Sequence, residues 1–104
     1  MKSINSNKEF NDLVSQEKPV LIDFYADWCG PCQMLMPTVE KLAKEFDGTI
    51  EIQKVNIDQH PAIASKFGVR SIPTLLFIKD KKILERINGM TSEITLRKKL
   101  KKMV

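Results

Sequence analysis

The run Val20-Leu21-Ile22-Asp23-Phe24-Tyr25-Ala26-Asp27-Trp28-Cys29-Gly30-Pro31-Cys32 joins a nearly unbroken apolar segment to two cysteines three positions apart, the only two in the chain. Seven residues (20–26) with a single charge, Asp23, suit a central strand. Strands covered on both faces lack the alternation of half-exposed ones. The cysteines fall where that strand ends and a helical period begins. A cysteine in the first turn of a helix sits among unpaired backbone N–H groups and the positive end of the macrodipole, so its thiolate is favoured. A second cysteine one turn later lies within reach. Such a pair can close and reopen as a disulfide while the rest of the fold stays in place.

Outward from this run, apolar segments and helical periods alternate. Downstream, Leu35, Val39, Leu42, Ala43 and Phe46 recur at helical spacing. Gly48 supplies a stop, and Pro37 inside the helix predicts a lost backbone bond and a kink. Upstream, a short strand is expected at residues 2–4. Ser6 and Glu9 then read as a capping box, the serine taking the Glu9 N–H and the glutamate reaching back, ahead of a stripe of Phe10, Leu13 and Val14. Residues 50–57 read as a strand with Ile50, Ile52 and Lys54 on one face. A short helix follows at 61–67, closed by Gly68. Strands at 74–79 and 82–88 form a hairpin across Asp80-Lys81, whose turn type is left open by the absence of glycine. Leu96, Leu100 and Met103 mark the inner face of a last helix capped by Thr91. The expected class is α/β, in the order β-α-β-α-β-α-β-β-α.

A chain of 104 residues, 42% apolar and 29% charged, is expected to form one domain spanning 1–104. No segment reaches the ~18 apolar residues of a membrane helix, and no signal-peptide core opens the chain, so a cytoplasmic location is expected. In that compartment a structural staple is a poor reading of the cysteines. A four-residue ring constrains the unfolded chain by only roughly 2 kcal/mol, and secreted disulfide scaffolds use more, widely spaced cysteines. The net charge of +4 comes largely from Arg97, Lys98, Lys99, Lys101 and Lys102. No aromatic is interleaved with them, so they read as a solvated helix face rather than a nucleic-acid surface. His60, the sole histidine, would leave a zinc site with Cys29 and Cys32 one ligand short, so no metal is expected. No phosphate-binding glycine motif occurs, so no bound cofactor is expected either.

At this point the chain resembles the thioredoxin family. The WCGPC run at 28–32 matches, as do Asp23, Pro37, Lys54, the Ile72-Pro73-Thr74 run, Gly89 and the order of elements, so the likeness covers essentially the whole chain. It implies the thioredoxin fold: a central five-stranded mixed sheet in the order 1-3-2-4-5, its last two strands antiparallel, with two helices on each face. It also implies a protein-disulfide reductase whose redox-active group is the Cys29–Cys32 disulfide. Cys29, ahead of the helix proper and expected to carry the more exposed sulfur, would attack the target disulfide. Cys32, more buried, would resolve the mixed disulfide. Gly30 and Pro31 would shape the turn between them. Asp23 would accept the Cys32 proton, since a lone buried carboxylate is costly unless paired or protonated. Lys54 would run its stem along the core and bring its ammonium near Asp23.

Pro73 matches the family's cis-proline, which would leave the Ile72 backbone free to pair with an extended client. Trp28, Ile72, Pro73, Gly89 and Met90 would form an apolar substrate rim. The implied partners are disulfide-containing client proteins and an NADPH-dependent thioredoxin reductase. The chain itself would be a monomer contacting neither nucleic acid nor membrane. Three features depart from the common pattern: Tyr25 where many members have tryptophan, Gln33 where lysine is frequent, and the Asp80-Lys81 turn. Two rivals remain. Oxidases and isomerases of the same fold commonly carry histidine between the cysteines, unlike Gly30-Pro31. A redox-independent binding subunit would use the same rim without the sulfur chemistry.

Overall fold

Every residue of β2 (Val20–Tyr25) is buried, and the other elements are arranged around that strand. The computed structural model describes residues 1–104. In chain order its elements are β1 (Lys2–Ser3), α1 (Asn7–Ser15), β2, α2 (Gly30–Glu45), β3 (Glu51–Asn56), α3 (Pro61–Lys66), β4 (Thr74–Lys79), β5 (Lys82–Asn88) and α4 (Glu93–Lys101). The sheet runs β1-β3-β2-β4-β5. β3 is parallel to both β1 and β2, whereas β4 runs antiparallel to β2 and to β5. No helix is long and apolar enough to cross a membrane.

The strand period divides the interior into two layers. Ile22 and Phe24 of β2 pack with Phe10 and Leu13 of α1 and Ile63 and Ala64 of α3. Leu21 packs on the opposite side with Leu35, Val39 and Leu42 of α2 and Leu96 and Leu100 of α4. Side chains two apart share a face. Asp23 and Tyr25 therefore stand in line with Leu21, on the side covered by α2, and this places the one charged residue of β2 beneath the helix that carries the cysteines.

Helix ends follow the local chemistry, with two corrections. Ser6 Oγ accepts the Glu9 N–H at 3.0 Å as expected, but the Glu9 carboxylate accepts the N–H of Asn5, at 2.7 Å, instead of that of Ser6. At α4 the cap is Ser92, not Thr91: Ser92 Oγ accepts the Thr95 N–H at 3.1 Å. Thr91 lies one residue too early for its hydroxyl to meet the first-turn donors. Ser92→Ala is accordingly expected to lower stability by about 1 kcal/mol and Thr91→Ala by far less, as read from urea unfolding midpoints. Pro37 lies within α2 on its exposed side. Asp80 and Lys81 both adopt positive φ, 52° and 67°, which makes the hairpin turn type I′ without a glycine.

The basic residues of α4 divide into two groups. Arg97 donates to both Glu45 oxygens, at 2.7 and 2.8 Å, and to Glu93 at 3.0 Å, while Lys41 of α2 reaches Glu93 at 3.0 Å. The guanidinium holds the Glu45 carboxyl below the usual carboxylate range, and Lys41 together with the guanidinium does the same for Glu93. Lys99 pairs with Glu85. Arg97 and Lys99 thus tie α4 to α2 and β5, and only Lys98, Lys101 and Lys102 form the solvated face expected of all five.

Candidate active site

Cys29 is the N-cap of α2, with Gly30 and Pro31 opening the helix. Proline there presets φ and gives up an N–H that would have no partner anyway. Cys29 Sγ accepts the Cys32 N–H at 3.2 Å. The first turn of α2 holds no acidic residue, so no side chain of that turn offsets the positive end of its dipole at this sulfur. Cys29 and Cys32 are joined as a disulfide with Cα atoms 5.2 Å apart.

Cys29 is the outer member of the pair as expected, 5% exposed against 0% for Cys32, though both are buried. The reason is their company. The pair packs with Tyr25 and Ala26, and Met36, Ile57 and Ile72 close in around them. Cys29 Sγ lies 3.9 Å from the Ile72 carbonyl oxygen.

Asp23 is fully buried, and neither carboxylate oxygen has a hydrogen-bond partner within the protein. Burial pushes its pKa up to about 7, with the positive charge of Lys54 acting in the opposite sense. Lys54 is the cross-strand partner of Asp23 in the β2–β3 register. The ion pair expected from the sequence is nonetheless not formed. The Lys54 ammonium lies over the Tyr25 ring, 5.5 Å from its centroid.

The expected rim is assembled unevenly. Trp28 and Met90 are open, at 71% and 51% exposure; Ile72 and Gly89 are half-buried, and Pro73 is buried. Pro73 therefore forms the floor of the rim and not its edge. The Ile72–Pro73 peptide is cis. The Gly89 N–H, with φ at +95°, donates to the Pro73 carbonyl at 2.7 Å and ties the Gly89-Met90 segment to Pro73. Ile72 itself makes no backbone–backbone hydrogen bond.

Two residues of the site were not evident in the sequence. Trp28 Nε1 donates to Asp58 at 2.8 Å. Asp58 is itself placed by Asn56, whose side-chain oxygen accepts the N–H groups of Asp58 and Gln59 at 2.9 and 3.3 Å. An asparagine at a strand end signals such a turn, but no local pattern links it to an indole thirty residues away. Gln33, one of the family departures, donates to the Asp27 carbonyl at 3.3 Å and braces the loop. His60 begins α3 and makes no side-chain cap. No three His, Cys, Asp or Glu side chains are grouped so as to hold a metal ion.

The arrangement is suited to exchanging two electrons through sulfur. It has one sulfur at a helix mouth, a second enclosed behind it, and an unpaired carboxyl beneath the same helix. Comparison with known proteins agrees. The family model described as Thioredoxin matches residues 2–102. The chain is 42% identical to the thioredoxin of Chlorobaculum thiosulfatiphilum, over 91% of this chain and 89% of that protein. It is 39% identical to the chloroplastic M-type thioredoxin of Pisum sativum, covering 99% of this chain but only 63% of that longer protein. The X-ray structure of Fasciola hepatica thioredoxin superposes with a TM-score of 0.90 at 35% identity, covering 100% of both chains.

Proposed function

The chain belongs to the thioredoxin family and is a dithiol–disulfide oxidoreductase, and from that premise we propose that it works as a protein-disulfide reductase in which Cys29 attacks and Cys32 resolves. The observation that carries this order is the Cys32 N–H directed at Cys29 Sγ at the start of α2, with Cys32 itself enclosed. In the reduced protein the same donor and the helix field favour the Cys29 thiolate.

The thiolate attacks one sulfur of the client disulfide. A Cys29–client bond forms, and the other client sulfur leaves as a thiolate that takes a proton from water. Cys32 then gives its proton to the Asp23 carboxylate and attacks Cys29 Sγ. The second client sulfur departs, and the Cys29–Cys32 disulfide closes. Two electrons pass to the client. The Asp23 proton is lost to solvent before the next cycle.

Clients are held by the apolar surface of Trp28 and Met90, and the unpaired Ile72 backbone offers an extended segment a place to align. The indole is steadied for this by Asp58. An NADPH-dependent flavoprotein reductase returns the pair to the dithiol. We place this chemistry in the cytoplasm and in a monomer.

The order of attack is tested by limiting iodoacetamide on the dithiol protein at pH 7. Cys29 should be carboxamidomethylated at least about tenfold faster than Cys32, the difference made by one pKa unit before access is counted. Faster labelling of Cys32, or equal and slow labelling of both, would overturn it.

A further inference from the structure

The Lys54 ammonium has two places to settle. Cross-strand neighbours stand about 4.8 Å apart along the sheet, so its four-carbon stem could fold back onto its register partner Asp23. It lies instead over the Tyr25 ring at 5.5 Å, inside the ~6 Å range of a cation–π contact. Tyr25 is two residues beyond Asp23 on β2, and so on the same face. It is buried, which removes water from the competition on that side.

We propose that Tyr25 is a positioning residue of the redox reaction: its ring holds the Lys54 ammonium out of an ion pair with Asp23 and leaves that carboxyl free to take the Cys32 proton. The proposal rests on the roles assigned above to Asp23 and Cys32. An ammonium locked onto Asp23 would keep the carboxyl ionised but make it a poor proton acceptor. An ammonium held at the ring tempers the cost of burial without cancelling it. The other elements around Asp23 bring no competing charge. β4 places Leu75 opposite it, α2 covers it with the cysteine pair, Leu35 and Val39, and α4 adds Leu96 and Leu100 to the same layer. Lys54 of β3 is the one charge that acts on it.

The test is the titration midpoint of Asp23, followed by its side-chain carboxyl carbon resonance in the disulfide form of the full chain. No thiol titrates in that form, so the result does not depend on which cysteine attacks. Tyr25→Phe, which keeps the ring, should leave the midpoint in place. Pentafluorophenylalanine at position 25 keeps the shape but reverses the ring's electrostatic face. It should lower the midpoint by about one pH unit as Lys54 moves to Asp23, the effect of an opposite charge at close range. Tyr25→Leu should do the same. In a Lys54→Met background neither replacement should move the midpoint. The proposal fails if the fluorinated protein titrates like Tyr25→Phe, or if the fall survives without Lys54. The fluorinated variant decides the matter even if Tyr25→Leu does not fold.

Discussion

Cys29→Ser should reduce insulin disulfides no faster than dithiothreitol alone, whereas Cys32→Ser should still capture clients and fail to release them. The asymmetry follows from what each sulfur touches. The Cys32 N–H and the positive end of the α2 dipole converge on position 29. They can stabilise a thiolate there, but a serine hydroxyl lies too far from ionisation at neutral pH for the same field to make it a nucleophile. With Cys29 in place and Cys32 changed, the first exchange proceeds and the mixed disulfide has no internal thiol to break it. Turbidity during insulin reduction reads the first variant. Non-reducing gels, followed by mass spectrometry of the trapped adducts, read the second. A rate above background for Cys29→Ser, or no adduct on Cys32→Ser, would contradict the assigned order. Persistence of the biological role after both cysteines are changed to serine would instead favour the redox-independent subunit.

The second large effect is on stability, and it comes from Asp23. Its pKa rises from 3.8 to about 7 on folding because burial strips water from the charged form. An acid with a raised folded pKa binds more protons in the native than in the unfolded state between those two values. The contribution of Asp23 to stability is therefore fullest below about pH 4, falls as pH rises through the interval, and levels off above pH 7. A difference of about three pH units corresponds to a loss of about 4 kcal/mol across that window. Asp23→Asn removes the charge at nearly constant shape. It should be more stable than the parent by about 4 kcal/mol at pH 9, with the gap closing toward pH 4. Urea unfolding of the disulfide forms at several pH values measures it. Equal stability of the two proteins at pH 9 would show that the Asp23 charge is already compensated. In the proposed mechanism the same variant lacks the proton acceptor for Cys32, so its mixed disulfides should persist longer than those of the parent. Position 23 would then trade stability at working pH for reactivity.

Much of this was legible in the sequence because its signals are local. Seven residues with one charge specify a covered strand. The 3.6-residue spacing through Leu35, Val39 and Leu42 specifies the helix after it. Glycines at 48 and 68, with φ of +84° and +65°, stop α2 and α3 as glycines do. The cysteine pair could be placed at a helix mouth from its neighbours alone. What was not legible depends on where long side chains go once the sheet has assembled. Strand alternation and the resemblance set Lys54 near Asp23, and the two are register partners, yet its stem has enough freedom to choose the Tyr25 ring. Arg97 and Lys99 looked like members of a solvated face. Their carboxylate partners Glu45 and Glu85 lie far off in sequence and meet them only when α4 docks. The Trp28–Asp58 contact belongs to the same class. At α4 the error was a choice between adjacent hydroxyls, Thr91 and Ser92, which composition does not rank.

The hairpin joining β4 to β5 has one more consequence. Asp80 and Lys81 both occupy a left-handed conformation that non-glycine residues adopt at a cost of roughly 1–2 kcal/mol each. They sit at the far end of β4 from the Pro73 floor, six residues or about 20 Å along the strand. Strain held so far from the chemistry serves no step of it. That corner is consequently the natural attachment point of the molecule. A glycine there relaxes the bend, and a tether, an affinity peptide or a solid support can be grafted onto it while electron traffic at the opposite pole continues undisturbed.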